Sequence, residues 1–359
     1  MQNERAGQGP AGAPWVSVII PAYQAARTLP ATLAALRQQT YPADRVEVLV
    51  VDDGSTDATA AVAAAGGARV LTQANQGPAT ARNRGARAAH GTILLFTDAD
   101  CVPTPNWIAR MVAPFADPRV EGVKGAYRTH QRGLTARFAQ VEFAERYGLQ
   151  QRAPTIDVVD SYAAAFRRAR FVAAGGYDER FWTASTEDTE LSYRLAEGGA
   201  RLVFAPDAIV YHTHPPTLAR YLRVKFARGY WKLVVYRMYR GRALRDSYTP
   251  QLLKVQGLGA LGVAALAPCA LAWPPLRRPW ALGLAALMAS TAPFTAFAAR
   301  RDLALAWVAP ACVLLRGLAI GAGTAAAVLG LGRGLAHDRD PRGTFPAAEC
   351  PAAAGPEVP

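Results

Sequence analysis

The chain has 359 residues, 51% of them hydrophobic and 19% charged, with a net charge of +13; this allows one large domain with an addition, or two ordinary domains, and excludes a disordered polyampholyte. The charge is local: residues 219–254 hold ten Lys and Arg against the single acid Asp246, whereas residues 15–218 hold 21 against 20. That distribution argues against the evenly basic face of a nucleic-acid-binding domain, and four scattered cysteines with no Cys-x-x-Cys pair, Cys101, Cys269, Cys312 and Cys350, argue for unpaired thiols in a reducing compartment over a disulfide framework or zinc site.

Residues 1–14 are polar and rich in Gly and Ala, so a disordered start without a secretion signal is expected. Residues 16–20, apolar and β-branched except for Ser17, end at Pro21, the pattern of a strand buried on both faces. Leu29, Leu33 and Leu36 have helical spacing within 28–39, and residues 46–51 repeat the strand pattern before Asp52-Asp53-Gly54. A short strand over 68–72, a helix over 79–89 carrying Arg82, Arg84 and Arg87, and a strand over 92–96 follow. Strands alternating with helices of this length predict βαβ units and a mostly parallel sheet, whose ligands bind at the carboxyl ends of the strands. No Gly-x-Gly-x-x-Gly or Gly-Lys-Ser/Thr loop follows the first strand, which leaves dinucleotide and P-loop folds unsupported.

The strand over 92–96 ends in Thr97-Asp98-Ala99-Asp100. Side chains two apart on an extended segment point the same way, so Asp98 and Asp100 can share a divalent cation with substrate phosphates; turns and helix caps use the same pattern. A helix over 103–116, a strand over 120–127, a helix over 134–149, a strand over 161–167 and a helical turn over 168–174 are expected next. Ser185 with Asp188 three residues later fits a capping box opening a helix that ends at Gly198-Gly199.

Six stretches, in order, resemble one known pattern: Val18-Ile19-Ile20-Pro21-Ala22-Tyr23, Val50-Val51-Asp52-Asp53-Gly54-Ser55-Thr56-Asp57, Gly77-Pro78-Ala79-Thr80-Ala81-Arg82-Asn83-Arg84-Gly85, Phe96-Thr97-Asp98-Ala99-Asp100, Gly175-Gly176-Tyr177-Asp178-Glu179 and Glu187-Asp188. Residues 16 to about 212 are thereby similar to the catalytic domain of family 2 glycosyltransferases, an α/β fold of the GT-A type. The resemblance implies that Asp52 hydrogen-bonds the base of a nucleotide-sugar donor, with Pro21, Ala22 and Tyr23 lining the pocket and Arg82 contacting phosphate or base. It implies that Asp98 lies near the ribose, that Asp100 ligates Mg2+ or Mn2+, and that Asp188 is the general base of an inverting displacement, supported by Glu187. His212 is a further candidate metal ligand, because some related enzymes use a late histidine. Processive members carry a Gln-x-x-Arg-Trp motif; the region here reads Arg220-Tyr221-Leu222-Arg223, which implies transfer of one sugar.

Residues 217–254 interleave aromatic and aliphatic side chains with the basic ones, which suits an amphipathic interfacial segment on anionic lipid. Apolar runs over 257–273, 279–299 and 303–331, the last broken by Arg316, predict two or three transmembrane helices. Arg316 calls for a polar partner in the bundle, a lipid phosphate, or a helix that stops short of spanning. The basic collar predicts a catalytic domain on the cytoplasmic side of the inner membrane. The expected organisation is a disordered start (1–14), a catalytic domain (15–216), the interfacial segment (217–254), the membrane helices (255–335) and a disordered tail (336–359). The expected partners are a nucleotide-sugar donor, a lipid-linked or glycan acceptor and the membrane, with no nucleic acid. Two other readings stay open: a polyprenyl-phosphate sugar synthase, and a non-catalytic membrane partner in glycan assembly.

Overall fold

The computed structural model describes residues 12–181, 186–243 and 246–331. Nearly all of the expected disordered start, the tail over 336–359 and the Ser185 end of the expected capping box lie outside the described residues. Eight strands, β1 (Val16–Ala22), β2 (Val46–Asp52), β3 (Arg69–Thr72), β4 (Ile93–Phe96), β5 (Val102–Pro103), β6 (Val120–Arg128), β7 (Ala164–Arg167) and β8 (Arg201–Tyr211), form one sheet in the order β3-β2-β1-β4-β7-β6-β8-β5. The first four are parallel, linked by α1 (Leu29–Arg37), α2 (Thr59–Ala65) and α3 (Pro78–Ala88). Val18 and Ile20 pack with Leu29 and Leu33 of α1, while Ile19, Leu94 and Phe96 pack on the other face with Ala79 and Ala86 of α3. Covering both faces is why β4 reads as an unbroken apolar run and β1 as a nearly unbroken one.

The second half of the sheet is mixed. β7 runs antiparallel to β4 and β6, β6 is parallel to β8, and the two-residue β5 pairs antiparallel with the end of β8, Val102 opposite Tyr211. That last pairing brings the turn after β4 beside the residues that follow β8. The helix expected over 103–116 shortens to α4 (Trp107–Val112), with a 3-10 turn over Ala113–Ala116, because Pro105 and Pro114 cannot donate to a continuous helical ladder. The strand expected over 161–167 begins only at Ala164, after a 3-10 turn.

The remaining helices are α5 (Leu134–Gln151), α6 (Arg168–Ala173), α7 (Glu187–Glu197), α8 (Leu218–Met238), α9 (Gln251–Ala272), α10 (Arg277–Ala289), α11 (Ala292–Ala299) and α12 (Leu305–Val328). Three helical segments, Gln251–Ala272, Pro274–Ala299 and Leu305–Val328, are long and apolar enough to cross a membrane. The middle one breaks between α10 and α11, where Pro293 has no N–H with which to continue the ladder.

The basic stretch after the sheet is built into the fold. Tyr221, Lys225, Gly229, Tyr230, Trp231 and Val235 of α8 are buried, and glycines bring α8 and α12 into backbone contact. A Cβ on Gly323 would run into the carbonyl oxygen of Phe226, and one on Gly229 into that of Ile320; Gly321 meets Gly257 of α9 in the same way. Gly323→Ala is therefore expected to cost about 1–3 kcal/mol. Gly262→Ala, where an added Cβ meets nothing within 4 Å, should be neutral or stabilising; thermal unfolding in detergent separates the two.

One polar cluster joins the sheet domain to the helices. Glu142 of α5 accepts from Lys225 of α8 and from Arg316 of α12, each at 2.7 Å. A further Arg316 nitrogen reaches Gln256 of α9 at 3.2 Å. The arginine in the third apolar run thus has its polar partners inside the bundle. Burial would raise the Glu142 pKa, but the charges of Lys225 and Arg316 outweigh it and hold the carboxylate below its usual range. Around the cluster, Phe138 and Val141 of α5 share a core with Phe294, Leu305 and Val313.

Candidate active site

The carboxyl ends of β1, β2 and β4 lie along one edge of the sheet, and the site is built there. Arg82 of α3, 2% exposed, donates to Asp98 at 2.9 Å and to Glu187 at 2.8 Å. It stands over the ring of Tyr177 at 5.5 Å. One buried guanidinium therefore ties the end of β4 to the start of α7, with two of its nitrogens committed to carboxylates.

Asp188 follows Glu187 in the first turn of α7 and faces an open cavity. Its carboxylate accepts from the backbone N–H of Thr189 at 2.6 Å and of Ser161 at 3.3 Å. A helix start ordinarily lowers a carboxyl pKa. Here burial, followed by the charges of Glu187 and Asp160, pushes Asp188 up to about 7. Asp160 itself is paired at 2.6 Å with Lys124, a fully buried lysine in the middle of β6.

On the other side of the cavity the pairing of β5 with β8 places His212 against Asp100, with Nε2 3.1 Å from Oδ1. His212 Nδ1 lies 2.8 Å from the carbonyl of Thr213 and 2.6 Å from the hydroxyl of Tyr127. A carbonyl only accepts, so Nδ1 carries a proton; Nε2, directed at Asp100, donates to the carboxylate when the ring is charged and keeps a lone pair free for a cation when it is neutral. Asp100, Cys101 and His212 offer ligand atoms within 4.8 Å of one another. Burial and the charges of Asp98 and Asp100 push the Cys101 thiol up, and a soft sulfur is a poor donor to a hard divalent cation. The remaining carboxylate and imidazole, completed by substrate phosphate oxygens, fit Mn2+ or Mg2+. His214 is buried and turned to Gln140 at 3.1 Å.

A cavity of about 890 Å3 connects these groups. It is lined at one end by Asp98, Asp100, Asp188 and His212, passes Arg228 and Lys232 of α8, and reaches Gly257 of α9 and Gly321 of α12. Of the residues expected from the sequence, Arg82, Asp98, Asp100, Glu187, Asp188 and His212 meet on this cavity. Pro21, Ala22, Tyr23 and Asp52 do not line it; they form a neighbouring group at the ends of β1 and β2, with Ala22 opposite Asp52. Asp52 accepts from the N–H of Ser55 at 3.1 Å, and Tyr23 is 54% exposed. Asp53 fixes the approach to α3 by accepting from the N–H groups of Gln76 and Gly77 at 2.8 Å, with Gly77 at φ 88°, where only glycine is unstrained.

Lys124, Tyr127 and Asp160 escape sequence reasoning. The available signal is Lys124 itself, a lone cation in the otherwise apolar centre of Val120–Arg128, since such a residue requires a buried partner.

Comparison with known proteins adds four findings. The sequence profile of "Glycosyl transferase family 2" matches residues 17–172. Glycosyltransferase AglE of Haloferax volcanii is 32% identical over 240 residues, covering 63% of this chain and 76% of that protein. The pre-mycofactocin glycosyltransferase of Mycobacterium tuberculosis is 32% identical over 225 residues, covering 60% of this chain and 46% of that protein. Among solved structures, the mannosyltransferase PcManGT from Pyrobaculum calidifontis, in complex with GDP-Man and Mn2+, shares the fold with a TM-score of 0.58 and 24% identity over 91% of this chain and 90% of its own.

Proposed function

The chain belongs to glycosyl transferase family 2 and is a nucleotide-sugar-dependent glycosyltransferase; from that premise we propose that it transfers one sugar, with inversion, to a membrane-held acceptor, lipid-linked or glycolipid. The observation that carries the acceptor reading is the cavity, which joins the carboxylates of the sheet edge to helices long and apolar enough to span a bilayer. A soluble acceptor would need no such passage.

In this reading the donor lies across the ends of β1, β2 and β4. Asp52, Pro21, Ala22 and Tyr23 hold the base, and Asp98 the ribose. Asp100 and His212 would hold Mn2+ or Mg2+, as the GDP-Man complex of the fold neighbour contains Mn2+. When bound, the cation supplies charge neutralisation of the departing diphosphate. Arg82 keeps Asp98 and Glu187 in register. Asp188 takes the proton of the attacking acceptor hydroxyl, for which a pKa of about 7 is well matched to neutral pH. The attack comes from the face opposite the leaving diphosphate, so the anomeric centre inverts. The ten basic residues over 219–254 support a cytoplasmic catalytic domain at the inner membrane.

Thermal unfolding of the full chain with each nucleoside diphosphate, with and without Mn2+, tests this. One nucleotide should stabilise strongly only with Mn2+, by about 2.7 kcal/mol at a hundredfold excess over Kd. Asp100→Ala should abolish the Mn2+-dependent part and His212→Ala weaken it. A nucleotide shift indifferent to both substitutions would sink the metal assignment.

A further inference from the structure

Past the carboxylates, the cavity changes sign. Val224, Arg228, Lys232 and Tyr236 recur every four residues along α8 and all line it, forming one face of the helix. Arg146 of α5 lines it as well. Among the described residues no carboxylate lies within ion-pair distance of Arg146, Arg228 or Lys232. Arg146 rests on the Tyr248 ring at 4.9 Å and donates to its hydroxyl at 3.1 Å. Lys232 lies 5.2 Å from the Tyr236 ring centre and 3.3 Å from the Tyr193 hydroxyl. Aromatic faces compensate a buried cation only in part, and burial holds the Lys232 ammonium below its ordinary pKa. An anion entering here would reverse that cost through charge-assisted hydrogen bonds.

The same region opens sideways. Leu253 and Leu258 of α9 line the cavity, yet Leu258 is 66% exposed and neighbouring Val255 63% exposed. The mouth therefore lies on the apolar flank of α9, where hydrocarbon chains would surround it.

We propose that the α8 side of the cavity binds the phosphate of a membrane lipid, on Arg228 and Lys232, with the lipid tail leaving past Leu258 along α9. This rests on the membrane-acceptor reading and names the chemistry of that acceptor's anchoring group. It also gives the cation-rich wall a purpose distinct from the donor's diphosphate, which the first reading assigns to Asp100 and His212.

The test uses the full chain in phosphatidylcholine nanodiscs and measures thermal unfolding with three probes: a polyprenyl phosphate, the polyprenol of the same length, and inorganic pyrophosphate. Only the polyprenyl phosphate should raise Tm. Arg228→Gln and Lys232→Gln should each weaken its apparent affinity about tenfold, while the shift given by nucleoside diphosphate with Mn2+ stays as in the parent. Arg228→Lys should recover part of the lost affinity. Leu258→Trp, which narrows the mouth without touching a charge, should also weaken the lipid effect, and it serves if a charge variant fails to fold. Loss of the nucleotide and lipid shifts together would assign the cations to the donor and overturn the proposal. An equal shift from polyprenol would reduce the site to a tail groove, and an equal shift from pyrophosphate to a free-anion site; either overturns it. Failure of the acceptor reading would look different, as a persistent lipid-phosphate shift with no sugar transferred to any membrane extract.

Discussion

Asp188→Asn should lower the rate of sugar transfer by about 10²–10⁴-fold, the usual contribution of a general base, with nucleotide binding in Mn2+ unchanged. The pH dependence carries a sign. Only the ionised carboxylate can accept a proton, so kcat of the parent should rise about tenfold per pH unit below 7 and level off above it. Stability should move oppositely. The folded pKa lies above the ordinary 3.8, so ionising Asp188 costs the folded state free energy that begins to appear above pH 3.8 and is complete above about 7. The Asn variant should accordingly match the parent's Tm in acid and exceed it by a few degrees at pH 8. An Asn variant with full activity, or a pH profile flat from 5 to 8, would remove Asp188 from the base position.

Glu142→Ala is expected to be the most destabilising single change, at about 3–5 kcal/mol, because it leaves two buried cations without their counter-ion. Arg316→Leu should cost less, since the Lys225–Glu142 pair survives and an apolar side chain suits the surroundings. Thermal unfolding in one detergent, comparing both variants with Glu142→Gln, tests the order. If Arg316→Leu proves the worse of the two, the network is not organised around Glu142. The prediction concerns stability alone, because none of these groups touches Asp100 or Asp188.

How much of this is legible in the sequence depends on the range of the interaction. The parallel half of the sheet is, because burial on both faces leaves a local mark, as in Val16–Ala22 and Ile93–Phe96. The mixed half is legible only in part: β6 lies where its apolar run predicts, but β5 has two residues and exists only because β8 reaches it, and β7 holds four residues, Ala164–Arg167, of the stretch expected over 161–167. Arg316 announces that it needs a partner, but nothing local says that the partner is Glu142, 174 residues earlier. The site divides in the same way. Asp98 and Asp100 stand out by spacing at a strand end, whereas Glu187 and Arg82 come together only through α3 crossing to α7. Asp188 illustrates a local rule losing to context: its place in the first turn of a helix favours an ionised carboxylate, and burial, followed by the acids around it, reverses the preference.

The partnership of Arg316 with Glu142 also bears on how the polypeptide is made. Synthesis runs from the N-terminus, so α5 and the sheet that supports it emerge well before α12. When the last apolar segment reaches the membrane carrying an arginine at its centre, insertion alone is costly, and the acid that offsets the cost is already folded and waiting in α8's company. The late helix should therefore assemble against the finished domain rather than partition into lipid by itself. In the full chain, membrane integration of Leu305–Val328 would show that dependence as poor insertion when Glu142 is replaced by alanine.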